Sequence, residues 1–510
     1  MSEKDGAGGG TPREGGTKDR APSSGRARVE LERTLGLKEA FAIGVGTMIG
    51  AGIFVFPGMA AGEAGPAAAV SFGIGAVIAL LVALPASELA TAMPESGGGY
   101  YFVSRSLGGF LGTMVGVAQL ASLIFASAFY LVGIGYYLND LLARLGTGGL
   151  DPGWLPVPII ALAAAILLTV MSILGTRNTG ALQNVIVGVL VIILAGFLGQ
   201  GALDALGIFG RQHLPEAFAP RGYTPVLTTA ALVFTSYLGF AQIAAVAGDI
   251  REPEKNLPRA MVGSVLIVGA FYVLTIFVST SVFGTARLAE LGETAIVEVA
   301  GELAGTFGAL VIVLGGMLAT ISSANASILS SSRSVFALSR DGVLPEGAGR
   351  ISERFRTPHV ALLMAGGPVA VLVLSGRVET LAEVASLLHL FMYGLICVSM
   401  LVLRRVNPSW YDPAYRAPGY PFLPALGALV SFGLVAFMDP LSMVLGGGVL
   451  LVAALWFLAY RLPRMRVRGA GKGRGGPHDR GQPRRHPSTR EADHDRGGES
   501  AGDPAGGGAR

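Results

Sequence analysis

The sequence predicts an all-α membrane protein of about twelve transmembrane helices, and three observations predict it. Of 510 residues, 51% are hydrophobic and only 14% charged, where soluble domains carry roughly 25% charged residues. The lysines, Lys4, Lys18, Lys38, Lys255 and Lys472, all lie outside the apolar stretches. Those stretches recur along the chain, each long enough to cross a hydrocarbon core of about 30 Å as helix. A surface facing water over most of its area could hardly avoid lysine so thoroughly.

The chain opens with residues 1–34, which mix Gly, Lys, Arg, Asp and Glu without an apolar run. That pattern reads as a disordered cytoplasmic tail and not as a cleaved signal peptide. Residues 35–203 hold five spans, near 38–63, 66–91, 110–138, 155–174 and 180–203. Residues 204–403 hold five more, near 225–247, 259–283, 298–324, 358–375 and 381–403. Residues 404–463 complete the set with 421–438 and 441–460. Residues 464–510 are again polar and Arg-rich, a second disordered cytoplasmic tail expected to touch anionic lipid. Glycine is abundant (75 residues), as close helix packing in a membrane bundle allows.

Basic residues in the loops test this layout independently. One alternate set of loops holds Arg105; Arg177; Arg251, Lys255 and Arg259; Arg333, Arg340, Arg350, Arg354 and Arg356; and Arg404, Arg405 and Arg416. The other holds only Arg144; Arg211 and Arg221; Arg287; and Arg377. The richer set shares its side with both tails, so both termini are expected in the cytoplasm, the cell membrane being the site and the number of spans even. The same bias accounts for the net charge of +4 without invoking nucleic acid. The lone cysteine, Cys397, lies in an apolar run and reads as a buried small hydrophobe, so no disulfide framework forms.

Two spans carry unusual chemistry. The first reads LKEAFAIGVGTMIGAGIFVFPGMAAG, with Gly44, Gly46, Gly50 and Gly52 close together. Two readings fit: a break around Ile49–Gly52, or a glycine-rich packing face on an intact helix. The sixth reads TPVLTTAALVFTSYLGFAQIAAVAGDI and gathers Thr235, Ser236, Tyr237, Gly239 and Gln242 at mid-membrane. These residues either line a pathway or bond neighbouring helices. Their position favours the pathway. An odd number of spans separates the two segments, so spans 6–10 run with topology opposite to spans 1–5, and interrupted helices at matching places in inverted halves point to a transporter's substrate site.

At four places the residues resemble the amino acid–polyamine–organocation permeases: GVGTMIGAGIFVFPG at 44–58, SELATAMPESGGGYYFVSRSLG at 87–108, FTSYLGFAQIAAVAGDIREPEKNLPRAM at 234–261 and ATISSANASILSSSRSVFALSRDGVLP at 319–345. The resemblance covers nearly all of 36–460. It implies a leucine-transporter-like fold, a five-plus-five inverted repeat followed by two helices, with helices 1 and 6 broken. It further implies secondary active transport of an amino acid by alternating access. The backbone N–H groups of Ile49, Gly50, Ala51 and Gly52 would meet the substrate carboxylate. Carbonyls near Thr47 and Met48, and from Phe234 to Tyr237, would hold the ammonium. Thr235 and Ser122 would shape the pocket.

The sequence departs from the family in two ways. The acid that many relatives carry two residues past the helix 6 glycine is Ala241 here, followed by Gln242. That weakens the case for a carrier of cationic amino acids. The lysine that some relatives carry in helix 5 falls near Leu190. Coupling to Na+, coupling to H+ through another carboxylate, and uncoupled exchange all remain; for Na+ the ligands would be the Gly46 and Ile49 carbonyls with the Ser322 and Ser323 hydroxyls. Glu88 reads as structural, and His389 as a packed histidine before a gating one. No metal-spaced cluster, HExxH or phosphate loop appears, so neither an enzyme nor a resident cofactor is expected. A transporter-like nutrient sensor, or a carrier of polyamines or other organic amines, is the alternative.

Overall fold

A computed structural model describes residues 35–94, 97–145, 156–174, 179–208, 217–352 and 357–464. Residues 1–34 and 465–510, and Arg177, Arg211, Arg354 and Arg356 of the loop count, lie outside the described residues. Among those described, regular structure is helical apart from one isolated β-bridge between Leu35 and Ile250. Among the described residues, nine helical stretches are long and apolar enough to cross a membrane, and the apolar stretches His359–Ser375 and Phe422–Phe437 are shorter. The chain is a multi-pass membrane protein.

In order, the helices are α1 (Leu37–Ile49), α2 (Gly52–Ala64), α3 (Ala68–Ala92), α4 (Gly98–Ser106), α5 (Gly109–Arg144), α6 (Val157–Leu174), α7 (Thr179–Ala205) and α8 (Thr224–Val233). There follow α9 (Phe240–Ala245), α10 (Pro253–Val282), α11 (Thr285–Leu291), α12 (Ala295–Arg340), α13 (His359–Leu372), α14 (Val378–Val406), α15 (Phe422–Leu434) and α16 (Pro440–Trp456). Helix α12 runs well past the 298–324 expected for it; a kink at Ala304–Gly305, with Gly305 at φ 63°, sets its first turns apart from the rest. A side chain at that φ would be strained.

The middle of the bundle is α5, α14 and the stretch from Thr224 to Ala245, each largely buried, whereas the last helix faces mostly outward. Outward side chains such as Ile192, Val371, Leu429 and Val444 are apolar and exposed, as lipid contact requires. Small residues let large ones approach: the Tyr137 ring lies over Gly316, and the Tyr237 ring over Gly75.

Hydrogen bonds between helix ends sort into two groups. In the first, Leu35 N–H donates to the Asp249 carbonyl at 2.9 Å and Arg251 N–H to the Leu35 carbonyl at 2.8 Å. Tyr100 there donates to Asp341 at 3.0 Å, Arg461 donates to the Gly109 carbonyl, and Thr357 to that of Ile173. In the second, Thr228 donates to Glu63 at 2.9 Å, Ala67 N–H to the Phe218 carbonyl, Gln200 to that of Leu303, and Arg144 pairs with Glu298. No bond named here joins an end of one group to an end of the other.

Candidate functional site

The first span is interrupted. Helix α1 stops at Ile49, α2 begins at Gly52, and Gly50 stands between them at φ 0°, ψ −153°. The break therefore falls inside the Ile49–Gly52 window that the glycines mark. The N–H groups of Phe54 and Val55 turn back to the Ala51 carbonyl. Those of Gly50, Ala51, Gly52 and Ile53 precede that first helical bond, and so form the positive end of α2.

The sixth span behaves differently. Helix α8 passes into a 3-10 turn at Phe234–Tyr237 and resumes as α9 at Phe240, with Leu238 and Gly239 keeping helical dihedrals. What was expected to be a broken helix 6 is a change of helix type. One glycine at this point, against four in the first span, leaves the backbone in the helical region.

Close approach brings the two segments together. A Cβ on Gly239 would lie 2.7 Å from the Met48 backbone nitrogen and would collide with the Thr47 hydroxyl. On Gly50 it would meet the Ser323 hydroxyl at 2.8 Å and the Tyr130 ring at 3.3 Å; on Gly52 it would meet the Tyr272 hydroxyl at 2.6 Å and collide with that of Ser236. Ile49, Ala51, Phe234, Thr235 and Tyr237 are all buried. Thr47 turns its hydroxyl to its own helix, onto the carbonyls of Ile43 (2.6 Å) and Gly44 (3.1 Å). Gly46 lies in the last turns of α1, and Ser322 is buried beside Ser323 on α12. Ser122 is placed otherwise: its hydroxyl donates to the Ala385 carbonyl of α14 at 2.6 Å and lies against His389 Nδ1. From α5 it is Tyr130 that reaches the break.

Four tyrosines grip the main chain here. Tyr272 donates to the Met48 carbonyl, Tyr137 to that of Phe54 and Tyr237 to that of Phe72, each at 2.8 Å. Tyr393 donates to the Leu238 carbonyl at 3.2 Å. Both sides of the first interruption and the far end of the 3-10 turn are thus held by phenols from α5, α10 and α14. The signal lay in the sequence: a tyrosine inside an apolar span must find a partner for its hydroxyl.

Three polar groups at the centre have none. Thr235 Oγ1, Ser236 Oγ and Ser323 Oγ are buried without a hydrogen-bond partner, a condition costing about 1–3 kcal/mol per group unless a ligand or water meets it. No Asp, Glu, Lys or Arg is among the residues brought together. Gln242 accepts from Ser330 at 3.0 Å, tying α9 to α12. Among the described residues no group of three His, Cys, Asp or Glu is placed to hold a metal ion. The arrangement offers N–H donors at a helix start, hydroxyls and aromatic faces, in a space without formal charge.

The buried ionisable groups lie elsewhere. Glu88, fully buried at the end of α3, accepts from Arg404 Nε at 2.7 Å and from Tyr411 at 2.6 Å. Glu383 on α14 accepts from Asp439 N–H at 3.1 Å. Outside the spans, burial and then the charge of Asp341 push the Tyr100 phenol up to about 12. Burial and the bond to Glu88 raise that of Tyr411 as well.

A family described as amino acid permease matches residues 35–458, and the chain belongs to it. Similar proteins include the branched-chain amino acid permease BcaP of Bacillus subtilis (strain 168), 27% identical over 79% of this chain and 88% of that one. The serine/threonine exchanger SteT of the same organism is 29% identical over 79% and 90%. The vacuolar cationic amino acid transporter 4 of Arabidopsis thaliana is 30% identical over 74% and 64%.

Proposed function

We propose that this amino acid permease carries an amino acid with an uncharged side chain across the cytoplasmic membrane by alternating access, bound at the interruption of the first span. The observation that carries the reading is the start of α2, where the N–H groups of Gly50–Gly52 precede its first helical bond and the partnerless hydroxyl of Ser323 lies 2.8 Å from where a Cβ on Gly50 would stand. A substrate carboxylate satisfies those donors and the dipole behind them. The substrate ammonium turns to the carbonyls at Thr47 and Met48 and along Phe234–Tyr237, with Thr235 offering a hydroxyl. A zwitterion brings no net charge into a space that has no counter-charge. A lysine- or arginine-like side chain would bury an unpaired cation, which is costly. The names of BcaP and SteT, which speak of uncharged side chains, agree with this, and the absent carboxylate at Ala241 argues against following the cationic transporter.

Twelve spans in a five-plus-five inverted repeat with two further helices, and both termini in the cytoplasm, complete the proposal. Its support is that α1–α2 and α8–α9 both depart from regular α-helix where they approach one another. The two groups of bonds between helix ends also fall on opposite sides of the layout that the basic residues define. Coupling runs through Na+ held by the Gly46 and Ile49 carbonyls with Ser322 and Ser323, through H+, or through exchange.

The test is uptake of labelled amino acids into proteoliposomes under an inward Na+ gradient, an inward H+ gradient, or against internal amino acid. Saturable uptake of neutral amino acids, lost when Gly50 or Gly52 is replaced by leucine, is expected. Preferred uptake of arginine, lysine or a polyamine overturns the substrate class. Tight binding without uptake identifies a nutrient sensor.

A further inference from the structure

The seam between α3 and α14 carries a feature that the transport reading does not use. Glu88 is surrounded by donors from three segments: the Arg404 guanidinium of α14 through Nε and Nη2, the Tyr411 hydroxyl, and the Ala417 N–H at 2.7 Å. Arg404 also donates to the Ala417 carbonyl at 2.9 Å and lies over the Tyr420 ring, 5.0 Å from its centre. One carboxylate therefore fastens the end of α3 to the end of α14 and to residues 411–417.

We propose that the Glu88–Arg404 pair is a conformational latch, holding this seam closed in the state described and releasing it during transport. Three observations carry the proposal. Burying a carboxylate is costly, and an apolar pair of the same size would bind two helices at least as firmly, so stability alone does not account for the pair. The two helices it joins also grip the substrate site: Tyr237 of the 3-10 turn donates to the Phe72 carbonyl of α3, and Tyr393 of α14 donates to the Leu238 carbonyl. Finally, a cavity of about 370 Å³ opens beside the pair, lined also by Asn407, Arg416 and Tyr420. Water entering there hydrates the two charges as they part, which lowers the cost of opening.

The chain supplies its own reporter. Cys397, the lone cysteine, is fully buried on α14, and its sulfur and the Leu81 carbonyl of α3 meet at the same face of Gly427 in α15. It sits in the seam, two turns from Arg404. The experiment measures labelling of Cys397 by N-ethylmaleimide in the purified native protein, in Glu88→Gln and in Arg404→Lys, with thermal midpoints recorded alongside.

The latch predicts that Glu88→Gln labels roughly tenfold faster than native protein by local opening, at denaturant concentrations too low to unfold it. It also predicts that Arg404→Lys, keeping the charge but losing the two-pronged contact, falls between. If Glu88→Gln does not fold, the Arg404→Lys comparison decides alone. Labelling unchanged in a folded variant, or raised only in step with global unfolding, overturns the latch. The inference rests on the transport reading only for its purpose. A native protein that transports nothing refutes that reading while the labelling result stands.

Discussion

Replacing Gly239 by alanine sets two effects against each other, and their sizes decide what to measure. Alanine favours a helix by about 1 kcal/mol over glycine. Against this, the new methyl group would sit 2.7 Å from the Met48 nitrogen. Ordinary contact begins near 3.4 Å, so α1 must retreat by about 0.7 Å, because a backbone atom cannot rotate aside. Overpacking of this kind costs about 1–3 kcal/mol, leaving a net loss of stability of roughly 0–2 kcal/mol. Stability is therefore a blunt readout. Position is a sharp one: the last turn of α1 presents the carbonyls of the proposed ammonium site, and where reacting or binding groups must be aligned, misplacement by about 1 Å can cost up to about a hundredfold. A shift of this size is expected to weaken substrate binding roughly tenfold, about 1.4 kcal/mol. The assay is isothermal titration or ligand-induced thermal shift in detergent, with Gly447→Ala in α16, where a Cβ meets nothing within 4 Å, as the control. Native affinity in Gly239→Ala, with the control unchanged, would refute the contact of α9 with α1 as a determinant of the site.

Tyr272→Phe removes one hydrogen bond to the Met48 carbonyl but keeps the ring stacked on Phe72 at 4.8 Å. It should cost about 1 kcal/mol of stability and raise KM several-fold, which uptake kinetics beside a melting curve will show. Ser323→Ala deletes a hydroxyl without a partner; the melting point should hold or rise while substrate affinity, or its Na+ dependence, falls. Ser122→Ala is the contrast, since it removes the hydrogen bond that ties α5 to the Ala385 carbonyl of α14 and should lower the melting point with little effect on affinity. For Tyr100, burial and Asp341 raise the phenol to about 12 from its ordinary 10. Its contribution is therefore whole below pH 10 and is lost as pH rises from 10 towards 12, by up to about 2–3 kcal/mol. Tyr100→Phe should flatten that part of the melting-point profile and leave transport between pH 6 and 8 unchanged.

What the sequence made legible followed from local rules. Apolar length located the spans, glycine density located the interruption at Gly50, and an apolar neighbourhood placed Cys397 in the interior. What it hid depends on tertiary contact. In FTSYLGF the single glycine favours a helical backbone, but whether that helix is α or 3-10 turns on which neighbours accept the displaced hydrogen bonds. Ser122 looked poised for the pocket by its position in α5, yet the facing main chain of α14 takes its hydroxyl. Glu88 read as structural at a helix end; its four donors come from residues more than three hundred positions away, beyond any periodicity. The tyrosines were visible as residue types but not as donors, since the carbonyls they meet lie on other helices.

The pairing of Leu35 with Asp249 and Arg251 consists of main-chain atoms alone. It joins the entrance of α1 to the exit of α9, yet no side chain specifies it, so a survey of alanine substitutions would pass over it without a trace. A main-chain connection of this kind persists whatever side chains stand at these positions, proline excepted. Only proline, which has no N–H to give, can cut it. Proline at residue 35 or 251 therefore separates the mechanical role of this strand-like splice from the chemistry of its side chains, and a fusion or truncation that begins beyond Leu35 would sever it unnoticed.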